Sequence, residues 1–227
     1  MPKEFIKSLK DNYDETLQQA YLNGEFVNLS LERTYYSFNR ENNVKKTNYD
    51  KYRPIKVGMD FNVNPITCVL LHEYNEHPKI RVFDEISISH SGGKELMTQQ
   101  ICNEIIRRYP NNNNIIVYPD PAGRQKRTSA FSTDHEILRE NGFRILSKNV
   151  APSVIDRVNS VNNILKTTII DPCCKGLIRD LEQVSNKEVT REIYKSNKSL
   201  THLSDGFGYL IDFEHPIRKP KTRTFQA

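Results

Sequence analysis

The sequence predicts a mixed α/β domain, a central sheet with helices on its faces, and two observations carry that prediction. Between residues 55 and 88, three short apolar segments follow one another with only tight turns between them. That spacing is the mark of an antiparallel meander. After residue 93 the hydrophobic period lengthens, and helical segments alternate with short strands. The resulting order, βββαβαβα, implies a sheet with both antiparallel and parallel neighbours.

The elements follow in order. Ile55–Phe61 (IKVGMDF) is a short, mostly apolar strand, and Asn62–Pro65 turns the chain. Ile66–Tyr74 (ITCVLLHEY) is a second strand, closed by a turn over Glu76–Lys79. Ile80–Ile88 (IRVFDEISI) alternates apolar and polar residues, as a half-buried strand does. Gly93–Tyr109 carries Met97, Ile101 and Ile105 at helical spacing, and Pro110 ends it. Ile115–Tyr118 (IIVY) reads as a buried strand running into Pro119-Asp120. Thr133 is placed to cap a helix that continues through Asn141 and stops at Gly142. Arg144–Lys148 reads as a strand, and Ser153–Lys166 as a helix with Val154, Val158, Val161 and Leu165 on one face. Lys175–Val184 is helical on Leu177, Leu181 and Val184, Glu188–Tyr194 is extended, and Leu200–Phe213 is the last helix.

Residues 1–50 read as an appendage to the main domain over 51–227. Tyr13, Leu17 and Tyr21 recur at helical spacing up to Asn23-Gly24. The segment FVNLSLERTYYSF is rich in β-branched and aromatic residues and predicts a pair of strands, and Asn39–Asp50 reads as a polar linker.

Composition narrows the class. The chain has 227 residues, 37% of them hydrophobic, and a mean hydropathy of −0.66. No apolar run approaches the roughly 20 residues that span a bilayer, and the polar start MPKEFIKSLKDNYDE is not a secretory signal. A soluble intracellular protein with no membrane partner is expected. The cysteines, Cys68, Cys102, Cys173 and Cys174, form no CxxC pair and have no histidine at zinc-ligand spacing, so free thiols are expected. The formal net charge of +5 and the pI near 8.9 are compatible with an anionic partner. Two stretches concentrate that charge without acids: PAGRQKRTSAF, with Arg124, Lys126 and Arg127, and the tail from Pro216 to Ala227.

Three aspartates stand out by position. Asp60 ends an apolar strand, where a buried carboxylate needs a partner or a metal. Asp120 follows IIVYP at the carboxyl end of another strand, where ligand-binding groups of parallel sheets collect. Asp205 lies in LTHLSDGFGYL, three residues after His202 and so on the same helix face. Gly206 and Gly208 weaken that helix but permit a close backbone approach. Taken singly, each acid is equally a turn-former or a loop cap. Together, two carboxylates at strand ends and one on a late helix can bind a pair of divalent ions about 4 Å apart, which activate a water and stabilise the leaving oxygen in phosphodiester hydrolysis. Hard oxygen ligands favour Mg²⁺ or Mn²⁺ over zinc.

The βββαβαβα order with these acids resembles the ribonuclease H-like nuclease fold. Within it, the chain resembles the nuclease domain of the large terminase subunit of tailed bacteriophages. The segments that carry the resemblance are YLNGEFVNL…TYYSFNRE, VGMDFNVNPITCVLL, VYPDPAGRQKR, DRVNSVNNIL and LTHLSDGFGYLI, spread from about residue 13 to 213. The resemblance implies that Asp60, Asp120 and Asp205 are catalytic, metal-binding acids, with His202 beside the third. It implies an endonuclease that cuts double-stranded concatemeric DNA with little sequence preference in the host bacterial cytoplasm. It also implies three protein partners: a terminase ATPase domain, a small terminase subunit and a portal protein. The chain departs from complete large terminases in lacking GxxxxGK[ST]; Ser91-Gly92-Gly93-Lys94 reads as a helix start. The expectation is therefore a C-terminal piece beginning at an added Met1, with residues 1–50 joining motor to nuclease.

Arg124, Lys126 and Arg127 follow the second acid closely and are expected to grip the DNA backbone. Lys187, Arg191, Lys195 and Lys198, just before the third acid, are expected to flank it from the other side. Two other readings stay open. One is a non-catalytic module that guides DNA or docks to the motor. The other is a different ribonuclease H-like enzyme, such as a junction resolvase, against which YLNGEFVNL counts.

Overall fold

The three apolar segments between residues 55 and 88 become β1 (Ile55–Asp60), β2 (Ile66–Glu73) and β3 (Ile80–Ile88). They pair antiparallel in chain order, with Gly58 opposite Val69 and Cys68 opposite Ile86. This is the expected meander. The structure, a computed structural model, describes residues 33–62, 64–90, 96–125, 132–185 and 200–217.

The meander is the centre of a six-stranded sheet. β4 (Ile115–Pro119) adds parallel to β1, and the short β5 (Arg144–Ile145) adds parallel to β4. β6 (Thr168–Ile170) adds parallel to β3 on the far edge, so the order is β5-β4-β1-β2-β3-β6. The mixed sheet is the expected one, with two differences. Arg144–Lys148 keeps only its first two residues as strand, because Leu146 makes its last ladder bond to Val117 before the chain turns away. The Thr168–Ile170 strand has no counterpart in the sequence reading; three residues are too few to show a period.

Helices cover both faces. α1 (Arg40–Asn43) is a single capped turn. α2 (Met97–Arg108) and α3 (Asp134–Glu140) pack Ile101, Ile105, Ile137 and Leu138 against Ile55, Val57 and Met59 of β1. Thr133 caps α3 through a capping box with Glu136, the arrangement its sequence predicts. On the other face, α4 (Val154–Leu165), α5 (Lys175–Gln183) and α6 (His202–Glu214) enclose a second core with Val69, Leu71, Val161, Leu181, Phe207 and Leu210. With helices on both sides, β2 is buried along almost its whole length, which is why it reads as a continuous apolar run rather than an alternation.

Residues 33–50 correct the reading of a strand pair followed by a linker. Arg33 makes one antiparallel bridge to Ser185, and the chain then turns, burying Tyr35 and Phe38. Two buried asparagines clamp the segment. Asn162 of α4 donates to the Thr34 carbonyl and accepts from the Ser37 N–H, at 3.0 and 3.1 Å. Asn43 donates to the carbonyls of Leu165 and Thr168, at 2.7 and 2.8 Å. A polar run rich in asparagine is here an ordered edge whose amides satisfy backbone groups in the interior. The four cysteines are free thiols, as expected. No helix among the described residues is long and apolar enough to cross a membrane. The expected helix over Tyr13–Tyr21, the strand residues before 33, the Ser91–Lys94 helix start, the extended segment 188–194 and the basic tail from 218 lie outside the described residues.

Candidate active site at the carboxyl ends of two parallel strands

β1 and β4 run side by side in the same direction, with Met59 opposite Pro119. The next backbone N–H, that of Asp120, donates to the Met59 carbonyl at 3.0 Å. Asp60 and Asp120 therefore leave neighbouring strand ends at one edge of the sheet, the place where such folds put ligands. Asp120 then caps a short 3-10 turn (Pro121–Arg124), its Oδ1 accepting the Ala122 N–H at 2.9 Å. A buried histidine of α3, His135, is hydrogen-bonded through Nε2 to the Asp120 carbonyl at 3.0 Å and holds that loop from below. Burial lowers the His135 pKa, so it serves as a neutral strut.

The third acid arrives on α6, which lies across β1. Even-numbered residues of β1 face this helix in reverse order: Lys56 pairs with Glu214 at 3.1 Å, Gly58 meets Gly206, and Asp60 faces His202. The middle contact sets the spacing. A Cβ on Gly206 would lie 3.2 Å from the Gly58 carbonyl oxygen and 3.4 Å from the Asp60 nitrogen, and a Cβ on Gly58 would overlap the Gly206 carbonyl. Backbone thus rests on backbone beside both Asp60 and Asp205. The glycines of GFG allow the close approach read from the sequence.

The start of α6 is fixed from outside. Thr201 sits at a left-handed φ of 88° and offers the helix no side-chain cap. Asp180 of α5 supplies it instead, its Oδ2 accepting the N–H groups of Leu203 and Ser204 at 3.1 and 3.2 Å. Burial pushes the Asp180 carboxyl from its ordinary 3.8 up to about 6, against the pull of those N–H groups.

Each acid has a local partner. Asp60 is buried, and its Oδ2 lies 3.6 Å from His202 Nδ1. The amide of Asn62 stands between them in close contact with both. Sequence reading set His202 beside Asp205; the structure also brings it to the first acid. Asp205 Oδ1 lies 3.0 Å from Nη2 of Arg157, a buried residue of α4. The Arg157 guanidinium stacks 4.3 Å over the Tyr209 ring. Burial pushes the Tyr209 hydroxyl up, Arg157 opposes this, and the carboxylates of Asp120, Asp60 and Asp205 all add to the rise. One side chain therefore feels the field of all three acids. Among the described residues, no group of three or more His, Cys, Asp or Glu side chains is gathered closely enough to hold a metal ion. Like charges repel, and each carboxylate is turned to a donor of its own: Asn62, the Ala122 N–H or Arg157.

Arg124 is exposed on the loop after Asp120 and donates to the Ser147 carbonyl at 2.8 Å and to Asn149 Oδ1 at 3.2 Å. The loop beside it fits because Gly123 lies against the Phe61 ring, with no room for a side chain. Lys126, Arg127, Lys187, Arg191, Lys195 and Lys198 lie outside the described residues. Sequence reading missed Asn62, Arg157, Tyr209 and Asp180. Arg157 was accessible to it: a charged residue stands four residues before the buried Val161 of α4.

This architecture occurs in known structures. The chain aligns over 94% of its length with the large terminase of a thermophilic bacteriophage in complex with ATP-gamma-S, with a TM-score of 0.69 and 19% identity. It aligns over 82% of its length with the P22 large terminase nuclease domain, covering 97% of that chain, with a TM-score of 0.59 and 14% identity. The fold is that of a large-terminase nuclease domain. A third structure, the large terminase nuclease domain of bacteriophage SPP1 with bound Mn, matches over 72% of this chain and 88% of its own, with a TM-score of 0.50 and 18% identity. The chain spans about half of the thermophilic phage's terminase chain, 53% of its length. No protein-family model matches the chain, and no curated protein does.

Proposed function

We propose that this domain is the divalent-metal-dependent DNA endonuclease of a viral packaging motor. The observation that supports it best is the meeting of three chain segments at one sheet edge. Asp60 and Asp120 leave adjacent parallel strands, and Asp205 is carried to them by the Gly58–Gly206 contact. Three carboxylates are a hard-oxygen donor set that fits Mg²⁺ or Mn²⁺. Ions held there would supply the charge that activates a water and stabilises the leaving oxygen. Asp60, Asp120 and Asp205 are the proposed ligands, and they must turn from their present partners to share an ion. His202 and Asn62 orient Asp60, while Asp180 fixes the helix that presents Asp205.

The substrate in this reading is double-stranded concatemeric DNA in the host cytoplasm, cut with little sequence preference. Arg124 at the rim, with Lys126 and Arg127, would bind backbone phosphates, which carry no sequence information; Lys187, Arg191, Lys195 and Lys198 would flank them. A motor ATPase domain, a small terminase subunit and a portal protein are its proposed partners. Residues 1–50 would connect toward the motor side.

The test is nicking of supercoiled plasmid by the full chain. Conversion is expected with Mg²⁺ or Mn²⁺, none in EDTA, and none for Asp60→Ala or Asp120→Ala variants whose circular dichroism matches the parent. Cleavage that persists in the Asp60→Ala/Asp120→Ala double variant would falsify the assignment.

A further inference from the structure

α4 sends one cation into the interior beside the acids. Arg157 is 7% exposed. Its Nη2 lies 3.0 Å from Asp205 Oδ1, and its guanidinium is seated on the Tyr209 ring. The carboxylates of Asp205 and Asp60 both favour its charged form. Its remaining donors, Nε and Nη1, are buried without a hydrogen-bond partner among the described residues. Taking a guanidinium out of water is costly, so packing on Tyr209 alone does not explain its place. Its charge does. Three carboxylates at one edge repel one another, and a guanidinium cannot escape by losing its proton.

We propose that Arg157 is the internal counter-cation of the carboxylate site, holding Asp205 when no ion is bound and competing with a divalent ion for that carboxylate. It is a positioning residue, and the inference rests on the metal-binding reading above. An incoming ion meets a fixed positive charge at hydrogen-bond range. Ligation through Asp205 Oδ1 requires the pair to open. The cation therefore weakens the affinity for the ion while keeping Asp205 in place.

The experiment is a calorimetric titration of Mn²⁺ into the DNA-free full chain, comparing the parent with Arg157→Met and Arg157→Lys. Methionine keeps the apolar stem and removes the charge. Arg157→Met is expected to bind Mn²⁺ about tenfold tighter or more, with Arg157→Lys closer to the parent. A merely structural arginine would give the opposite result, because its loss would loosen the ligands. Unchanged or weaker binding by a folded Arg157→Met variant overturns the proposal. A second measurement needs no variant: crystals of the parent grown with and without Mn²⁺. The Nη2–Oδ1 contact, 3.0 Å here, is expected to open beyond hydrogen-bond reach once Asp205 carries the ion. A pair that stays closed around an ion ligated through the same Oδ1 overturns it as well. A parent chain that binds no Mn²⁺ removes the metal-site reading and this inference with it. Normal Mn²⁺ binding that ignores Arg157 removes the inference alone.

Discussion

Replacing Gly206 by alanine tests whether the α6–β1 contact sets the geometry of the site. In a helix interior, Gly→Ala gains about 1 kcal/mol from backbone entropy. At Gly206 the new methyl would stand 3.2 Å from the Gly58 carbonyl oxygen and 3.4 Å from the Asp60 nitrogen, both of them backbone in the buried central strand. Neither can swing aside as a side chain tip would, so the helix itself must shift by a few tenths of an ångström. Overpacking of this kind costs about 1–3 kcal/mol. The net expectation is a loss of up to about 2 kcal/mol, read as a lower denaturation midpoint at unchanged slope. Gly208→Ala is the internal control. Its methyl would make an ordinary contact, 3.5 Å from the Arg157 Cβ, so the helix gain of about 0.5–1 kcal/mol should survive. Because the shift at Gly206 moves Asp205 relative to Asp60, nicking activity should fall by about 10–100-fold in Gly206→Ala, and by much less in Gly208→Ala. Equal stabilisation of both variants with equal activity would refute the view that this contact spaces the acids.

The remaining predictions concern single groups. Asp180 has a folded-state pKa of about 6 against an ordinary 3.8, so the folded chain takes up its proton more readily than the unfolded one. Its contribution to stability is complete at low pH and is lost as pH rises through about 6, by at most roughly 3 kcal/mol. Between about pH 4 and 7, Asp180→Asn should flatten the pH dependence seen by urea denaturation; an identical slope in both proteins would count against the raised carboxyl. His202→Ala should reduce nicking less than Asp205→Ala does, because His202 and Asn62 orient Asp60 rather than replace it; equal, total loss in both would make His202 essential. Alanine at Arg124, Lys126 and Arg127 together should weaken DNA binding about equally on unrelated sequences and flatten its salt dependence. Unchanged affinity from low to moderate salt would remove that loop from the DNA track.

What the sequence made legible was periodic or terminal. β1 to β3 have turns on either side, α3 has Thr133 and Glu136 to announce it, and α6 has GFG at its close contact; all appear as read. Asp60 and Asp120 were visible because a charge at the end of an apolar strand is out of place. What was hidden depends on partners distant along the chain. Residues 33–50 look like polar linker, yet Asn162 and Asn43 make interior hydrogen bonds spanning more than a hundred residues, which no local pattern encodes. β6 has only three residues and exists because the edge of β3 accepts it.

The site residues that escaped notice share a physical reason. Asp180, Arg157 and Asn62 each do their work through a group on another segment: the N-terminus of α6, the carboxylate of Asp205, the pair Asp60 and His202. Sheet register and a glycine contact, both backbone effects, bring the segments that carry Asp60, Asp120 and Asp205 to one edge. Holding like charges close together is a separate problem. Among the described residues it is met by the Arg157 guanidinium, the Ala122 N–H and the Asn62 amide wedged between Asp60 and His202. Such compensation varies with the neighbours available to each side chain, so it becomes readable only once the neighbours are known.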